Sequence, residues 1–242
     1  MRKNAIGVPA FALLVPIFLV PIFLSLPGSA QAQVEKAPYP TMAPLDQYLI
    51  PDEKAEIALA RSAAPASVSD AAEVMVLHRD GYTTAAKGSN GFVCIVERSW
   101  ATTTDDAQFW NPKIRAPHCF NAPAATTVLP IFLRKTKLVL AGKSKAEIVA
   151  AIASALEKKE LPALVPGTVV YMMSKQQYLN DEGKNWHPHV MFYVSGDAGK
   201  SSGANLPDSP VMAGYDAEQR LTTFFVLAAK WSDGTTGPPM TN

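Results

Sequence analysis

The sequence predicts an α+β fold: a mostly antiparallel sheet, built from an N-terminal three-strand meander plus three C-terminal strands, with two to four helices packed on it. Three observations lead there. Short β-branched and aromatic runs bounded by turn residues fill positions 73–98 and recur after position 167. Between them, apolar residues repeat every three or four positions, the period of an amphipathic helix. Strands grouped on either side of helices indicate segregated layers, with the helices on one face of the sheet.

At the N-terminus, Arg2 and Lys3 precede an apolar run from Phe11 to Leu26, and Ala30-Gln31-Ala32 offers small residues before Gln33. Residues 1–32 therefore read as a cleaved export signal, and the expected location is periplasmic or secreted. A membrane anchor would need about 20 uninterrupted apolar residues, whereas Pro16 and Pro21 break this run. Residues 33–45 are a Pro- and Ala-rich spacer, and 46–242 are expected to form a single α+β domain. Losing Arg2 and Lys3 leaves 20 of the 22 basic residues against 21 acidic ones, a net charge of −1. Nucleic acid is a poor partner for that balance, because nonspecific affinity comes from clustered Lys and Arg.

Pro51 to Ala64 reads as a helix, with Asp52 and Glu53 in its first turn, Arg61 near its end and Pro65 stopping it. Val74 to Leu77, the hairpin signal Asp80-Gly81, Tyr82 to Lys87, the turn Gly88 to Gly91 and Phe92 to Arg98 then make the meander. In its last strand Phe92, Cys94 and Val96 share one face, and Val93, Ile95 and Glu97 the other. Trp100 to Phe120 reads as a loop with one helical turn near Asp105. A helix beginning near Pro130 carries Phe132, Leu133, Thr136 and Leu140 on one side and ends at Gly142. Ser144 and Glu147 form a capping box ahead of a stripe of Ile148, Ala151, Ile152, Ala155 and Leu156. Strands follow at Thr168 to Ser174, His187 to Ser195 and Leu221 to Ala229, with a long loop over 196–215.

Cys94 and Cys119 are the only cysteines. In an oxidising compartment an isolated pair forms a disulfide, and closing a loop of this length is worth about 3–4 kcal/mol in the chain-entropy model. The spacing is not the C-x-x-C of redox-active thiols.

Chemistry concentrates in Trp186-His187-Pro188-His189-Val190-Met191-Phe192-Tyr193. On a strand, His187, His189, Met191 and Tyr193 project to one side, while Val190, Phe192 and Val194 project to the other and are the candidate core. Two imidazoles on one face can serve one metal, with Glu97, His118 or an acidic loop residue as a third ligand for zinc. The Met191 thioether also admits copper. Set against this, the histidines can be structural, and Pro188 places them at a strand's start or edge. Glu97 is the candidate acid, base or ligand, an ion pair with Arg98 or a lysine at the sheet edge being the plainer explanation. Gly199-Lys200-Ser201-Ser202-Gly203 matches G-x-S-x-G without the strand and helix that a nucleophile elbow needs.

Asn90 to Trp100, Trp186 to Phe192 and Lys230 to Thr235 resemble segments of a group of exported bacterial proteins of unknown function. The resemblance implies export and one fold, and no chemistry. With no catalytic motif in its required context, the first expectation is an exported soluble binding or accessory domain, not an enzyme, that needs no cofactor and meets a small ligand or an envelope protein. The alternatives are a metal-dependent hydrolase using His187 and His189 with Glu97, and copper binding through His187, His189 and Met191.

Overall fold

The structure is a computed structural model that describes residues 38–239. The export-signal reading of 1–32 and the start of the spacer lie outside the described residues. Eight strands form one sheet in the order β2-β1-β3-β4-β5-β6-β8-β7. These are β1 (Glu73–His78), β2 (Gly81–Ala86), β3 (Val93–Glu97), β4 (Ala116–Phe120), β5 (Val169–Met172), β6 (His189–Ser195), β7 (Met212–Asp216) and β8 (Leu221–Leu227). Five helices pack on it: α1 (Glu53–Arg61), α2 (Ala66–Ser69), α3 (Ala122–Thr127), α4 (Leu129–Leu140) and α5 (Lys145–Glu157). The α+β class and the mostly antiparallel sheet stand. Among the described residues there are five helices against the two to four expected, and the sheet has eight strands against the expected meander plus three. No helix among the described residues is long and apolar enough to cross a membrane.

The predicted meander is corrected by a crossover. β1 and β2 form the Asp80-Gly81 hairpin, but β3 returns to the other side of β1 and runs parallel to it, Val74 opposite Cys94. Gly88 makes the return possible, because a Cβ there would lie 2.1 Å from the Glu73 backbone nitrogen. Only a residue without a side chain can pass so close to another backbone. Gly91, at φ +77°, completes the turn.

Helices cover both faces of this part of the sheet, not one. Asp52 caps α1 by accepting the Lys54 N–H at 2.9 Å, and the small residues Ala60, Ala63 and Ala64 seat it on Val74, Val76, Cys94, Val96 and Cys119. On the opposite face Ile95, Phe120 and Val170 meet Ala124, Val128, Leu129 and Phe132 of the α3–α4 region. Both faces of β3 are therefore buried, and period-two alternation cannot separate core from solvent there. The capping box at Ser144 and Glu147 forms as expected, and α5 buries Ile148, Ile152 and Ala155. Towards β8 the sheet opens: Phe192 is 43% and Val226 51% exposed, so the face of Val190, Phe192 and Val194 is not the core and the face carrying His189 and Met191 is.

Two strands occupy stretches expected to be loop. β4 contains Pro117, yet it pairs with β3 along its whole length and joins Cys94 to Cys119 by the disulfide. Its neighbours Arg115 and Asn121 direct their backbone N–H groups to the β5 side, to Tyr178 and Val169. Pro117 shares that orientation but sits where the chain after β5 has turned away, the Met173 N–H donating to Ala63 instead. The missing proline donor therefore breaks no ladder bond. β7 emerges from the end of the 196–215 loop as the outer strand, and Asn205 pairs through its side chain with both backbone groups of Ala213.

Candidate functional site

Three donor side chains stand in one row across β4, β5 and β6. Met172 lies opposite His189. The β4–β5 register, Cys119 with Tyr171 and Phe120 with Val170, continues by one position to set His118 opposite Met172. The row lies on the face covered by α3 and α4, and His118, Met172 and His189 are 8%, 6% and 2% exposed. Facing residues on neighbouring strands hold their Cβ atoms about 5 Å apart, so a thioether is flanked by two imidazoles.

The two imidazoles are held alike. His118 Nδ1 is 2.9 Å from the Ala116 carbonyl oxygen and His189 Nδ1 is 2.7 Å from that of His187, each two residues back along its own strand. Since β4 and β6 run in the same direction, both rings lean the same way. A carbonyl oxygen only accepts, so in the neutral ring the proton sits on Nδ1 and the lone pair on Nε2. Burial pushes both histidines down to about 4, and both are neutral at neutral pH. Trp186, with its ring centre 4.8 Å from that of His189, and Phe225, at 5.6 Å, wall the second ring.

The predicted residues divide as follows. His189 and Met191 share a face of β6, as alternation requires, and that face points inward in place of the one expected to be core. His187 precedes the strand, half-buried, with its carbonyl holding His189 and its own Nδ1 buried without a partner. Met191 accepts the Tyr193 hydroxyl at 3.6 Å. Glu97 is not in an edge ion pair. It sits on an inner strand, 4% exposed, while Arg98 turns to the opposite face and pairs with Glu56 at 2.9 Å. His118, an expected third ligand at most, and Met172, outside the expected ligand set, are the partners that the fold brings to His189. A lone residue on a distant strand gives no spacing signal.

Glu97 Oε2 is 3.6 Å from His118 Nδ1, on the ring edge away from Nε2. Burial pushes its carboxyl up to about 8, opposed in part by the Lys135 ammonium. Glu97 and His118 thus meet as two neutral groups at neutral pH. Beside them a cavity of about 340 Å³ lies between the sheet and the segment 98–114, reaching from Glu97 and His118 to Tyr193, Asp216 and Thr223. Lys135 is 1% exposed behind its rim, its ammonium donating to the Thr102 carbonyl at 2.5 Å and lying 3.4 Å from Glu218.

Among the described residues no three His, Cys, Asp or Glu side chains are placed to hold a metal ion. The metal-competent set is two imidazoles and a thioether, a soft-leaning combination that suits copper(I) better than a hydrolytic zinc ion. No family model, no curated protein and no solved structure matches the chain, so a reading of its function rests on this site alone.

Proposed function

We propose that this protein binds copper(I) through His118, Met172 and His189, as an exported copper-handling protein. The observation that carries the reading is the row itself. Two imidazoles flank a thioether on adjacent strands, each with Nδ1 tied to a backbone carbonyl, the outer hydrogen bond that orients metal-ligating histidines and leaves Nε2 as the donor atom. Desolvation supports it, since rings held neutral offer a lone pair without first losing a proton. The soft sulfur argues for the cuprous ion. The copper alternative read from the sequence is kept in kind, with His118 and Met172 in place of His187 and Met191. Export places such a protein outside the reducing cytosol, where its disulfide persists.

The test is competition for Cu(I) against a chromogenic chelator, using the oxidised protein purified without a tag. One equivalent should be withdrawn by the parent, and His189→Ala and His118→Ala should each lose it. Met172→Leu, nearly equal in volume, should weaken Cu(I) about ten-fold or more while leaving the thermal midpoint of the metal-free protein within a few degrees. No withdrawal by the parent, or equal withdrawal by Met172→Leu, returns the row to a structural role.

A further inference from the structure

The cavity beside Glu97 carries chemistry that the copper row does not use. Among the described residues five buried polar side-chain atoms have no hydrogen-bond partner, and two of them, Glu97 Oε1 and Ser99 Oγ, belong to residues lining this one cavity. Both residues are nearly inaccessible, at 4% and 2% exposed. Native interiors pair such atoms. Two orphans at one void mark a place where a ligand supplies the missing partner.

Charge and shape narrow the ligand. Three carboxyl side chains line the cavity: Glu97, Asp106 and Asp216. Asp106 accepts from the Gln108 backbone and the Thr102 hydroxyl, and Asp216 accepts twice from Gln219, which leaves each with lone pairs to spare. The cations nearby are committed elsewhere. Arg98 spends its guanidinium on the Tyr48 and Val96 carbonyls and on Glu56, and Lys135 is held by the Thr102 carbonyl and Glu218. The remaining wall is apolar and aromatic, with Phe132, Tyr193 and Phe225 presenting rings. An acidic end opposite aromatic faces is the environment that attracts an organic cation.

We infer that the cavity binds a primary ammonium bearing a compact apolar or aromatic group, the N–H donors meeting Glu97 and Ser99 and the apolar body lying among Phe132, Tyr193 and Phe225. An anionic ligand would meet three carboxyls and no free cation. A neutral alcohol would satisfy the orphans without the charge. The cavity touches the copper row at His118, but Glu97, Ser99, Asp106 and Asp216 are outside that row, and amine binding is read without copper present.

The experiment is isothermal titration of chelator-treated protein, free of copper, with phenethylammonium, 2-phenylethanol and phenylacetate, three probes of one size and different charge. The expected result is saturable 1:1 binding of phenethylammonium, about ten-fold or more tighter than the alcohol, with phenylacetate weakest. Asp106→Asn and Asp216→Asn should each reduce that preference for ammonium over alcohol, and Ser99→Ala should weaken the amine a few-fold. The three-probe comparison on the unaltered protein decides the matter even if a variant fails to fold. Phenylacetate or the alcohol binding as tightly as the amine, or no saturation by the amine, overturns the inference.

Discussion

Replacing Glu97 by Gln should change how stability depends on pH, and the size of the change follows from burial. The carboxyl titrates near 4.5 in an unfolded chain and is held to about 8 in the folded one. Between those values the folded state keeps a proton that the unfolded state gives up, so stability falls as pH rises through the window. At about 1.4 kcal/mol per pH unit the full loss is about 5 kcal/mol, of which about 2 kcal/mol falls between pH 6.5 and 8. His118 and His189 act in the opposite sense. Held down to about 4 in the fold, they leave the unfolded state binding more protons below 6.5, so stability drops as pH falls from 6.5 towards 4. The parent should therefore be most stable near pH 6.5. Urea unfolding of parent and Glu97→Gln from pH 5 to 9 measures this, because every other titrating group cancels in the difference. A parent as stable at pH 9 as at 6.5, or a variant that declines in step with it, would refute the placement of an uncompensated carboxyl in the core.

Reducing the Cys94–Cys119 bridge, or replacing both residues with Ala, should cost about 3–4 kcal/mol for the loop it closes, seen as a lower urea midpoint. Arg98→Met should cost about 3–5 kcal/mol by stranding Glu56, which is 1% exposed, whereas adding Glu56→Leu should recover part of that loss in a double-mutant cycle. Gly88→Ala should destabilise by more than about 2 kcal/mol, since its methyl group meets backbone and not a movable side chain. Equal stability of this variant and the parent would mean that the crossover past β1 is looser than described.

Local signals were legible where a few neighbouring residues decide the outcome. Asp80-Gly81 makes its hairpin, Ser144 and Glu147 cap α5, and the two cysteines meet across paired strands. Long-range choices were not. Whether β3 lies beside β2 or beside β1 depends on how closely Gly88 can pass Glu73, which no alternation pattern encodes. β4 was hidden by Pro117, whose cost vanishes only because the chain after β5 leaves at Met173. β7 was hidden by the glycine and acidic residue of Met212–Asp216, tolerable on an outer strand. At the site, β6 alone shows that His189 and Met191 share a face, but not that this face turns inward. Nor does it show the meeting of His189 with His118, because that needs the order of three strands drawn from two distant parts of the chain. Alternation places Glu97 on one face of β3 with Val93 and Ile95, but its burial follows from α4 covering that face.

The disulfide joins β3 to β4 in the middle of the sheet, and residues 95–118 form the arc between its ends. A pull applied to the two ends of the chain is carried through the sulfur atoms and bypasses that arc, which holds Glu97, Ser99 and His118. A protease that nicks the arc near Asp105 would likewise release no fragment: the two pieces would travel together until reductant separated them. The wall of the cavity and one end of the histidine row thus sit inside a covalent ring, sheltered from whatever strains the rest of the molecule.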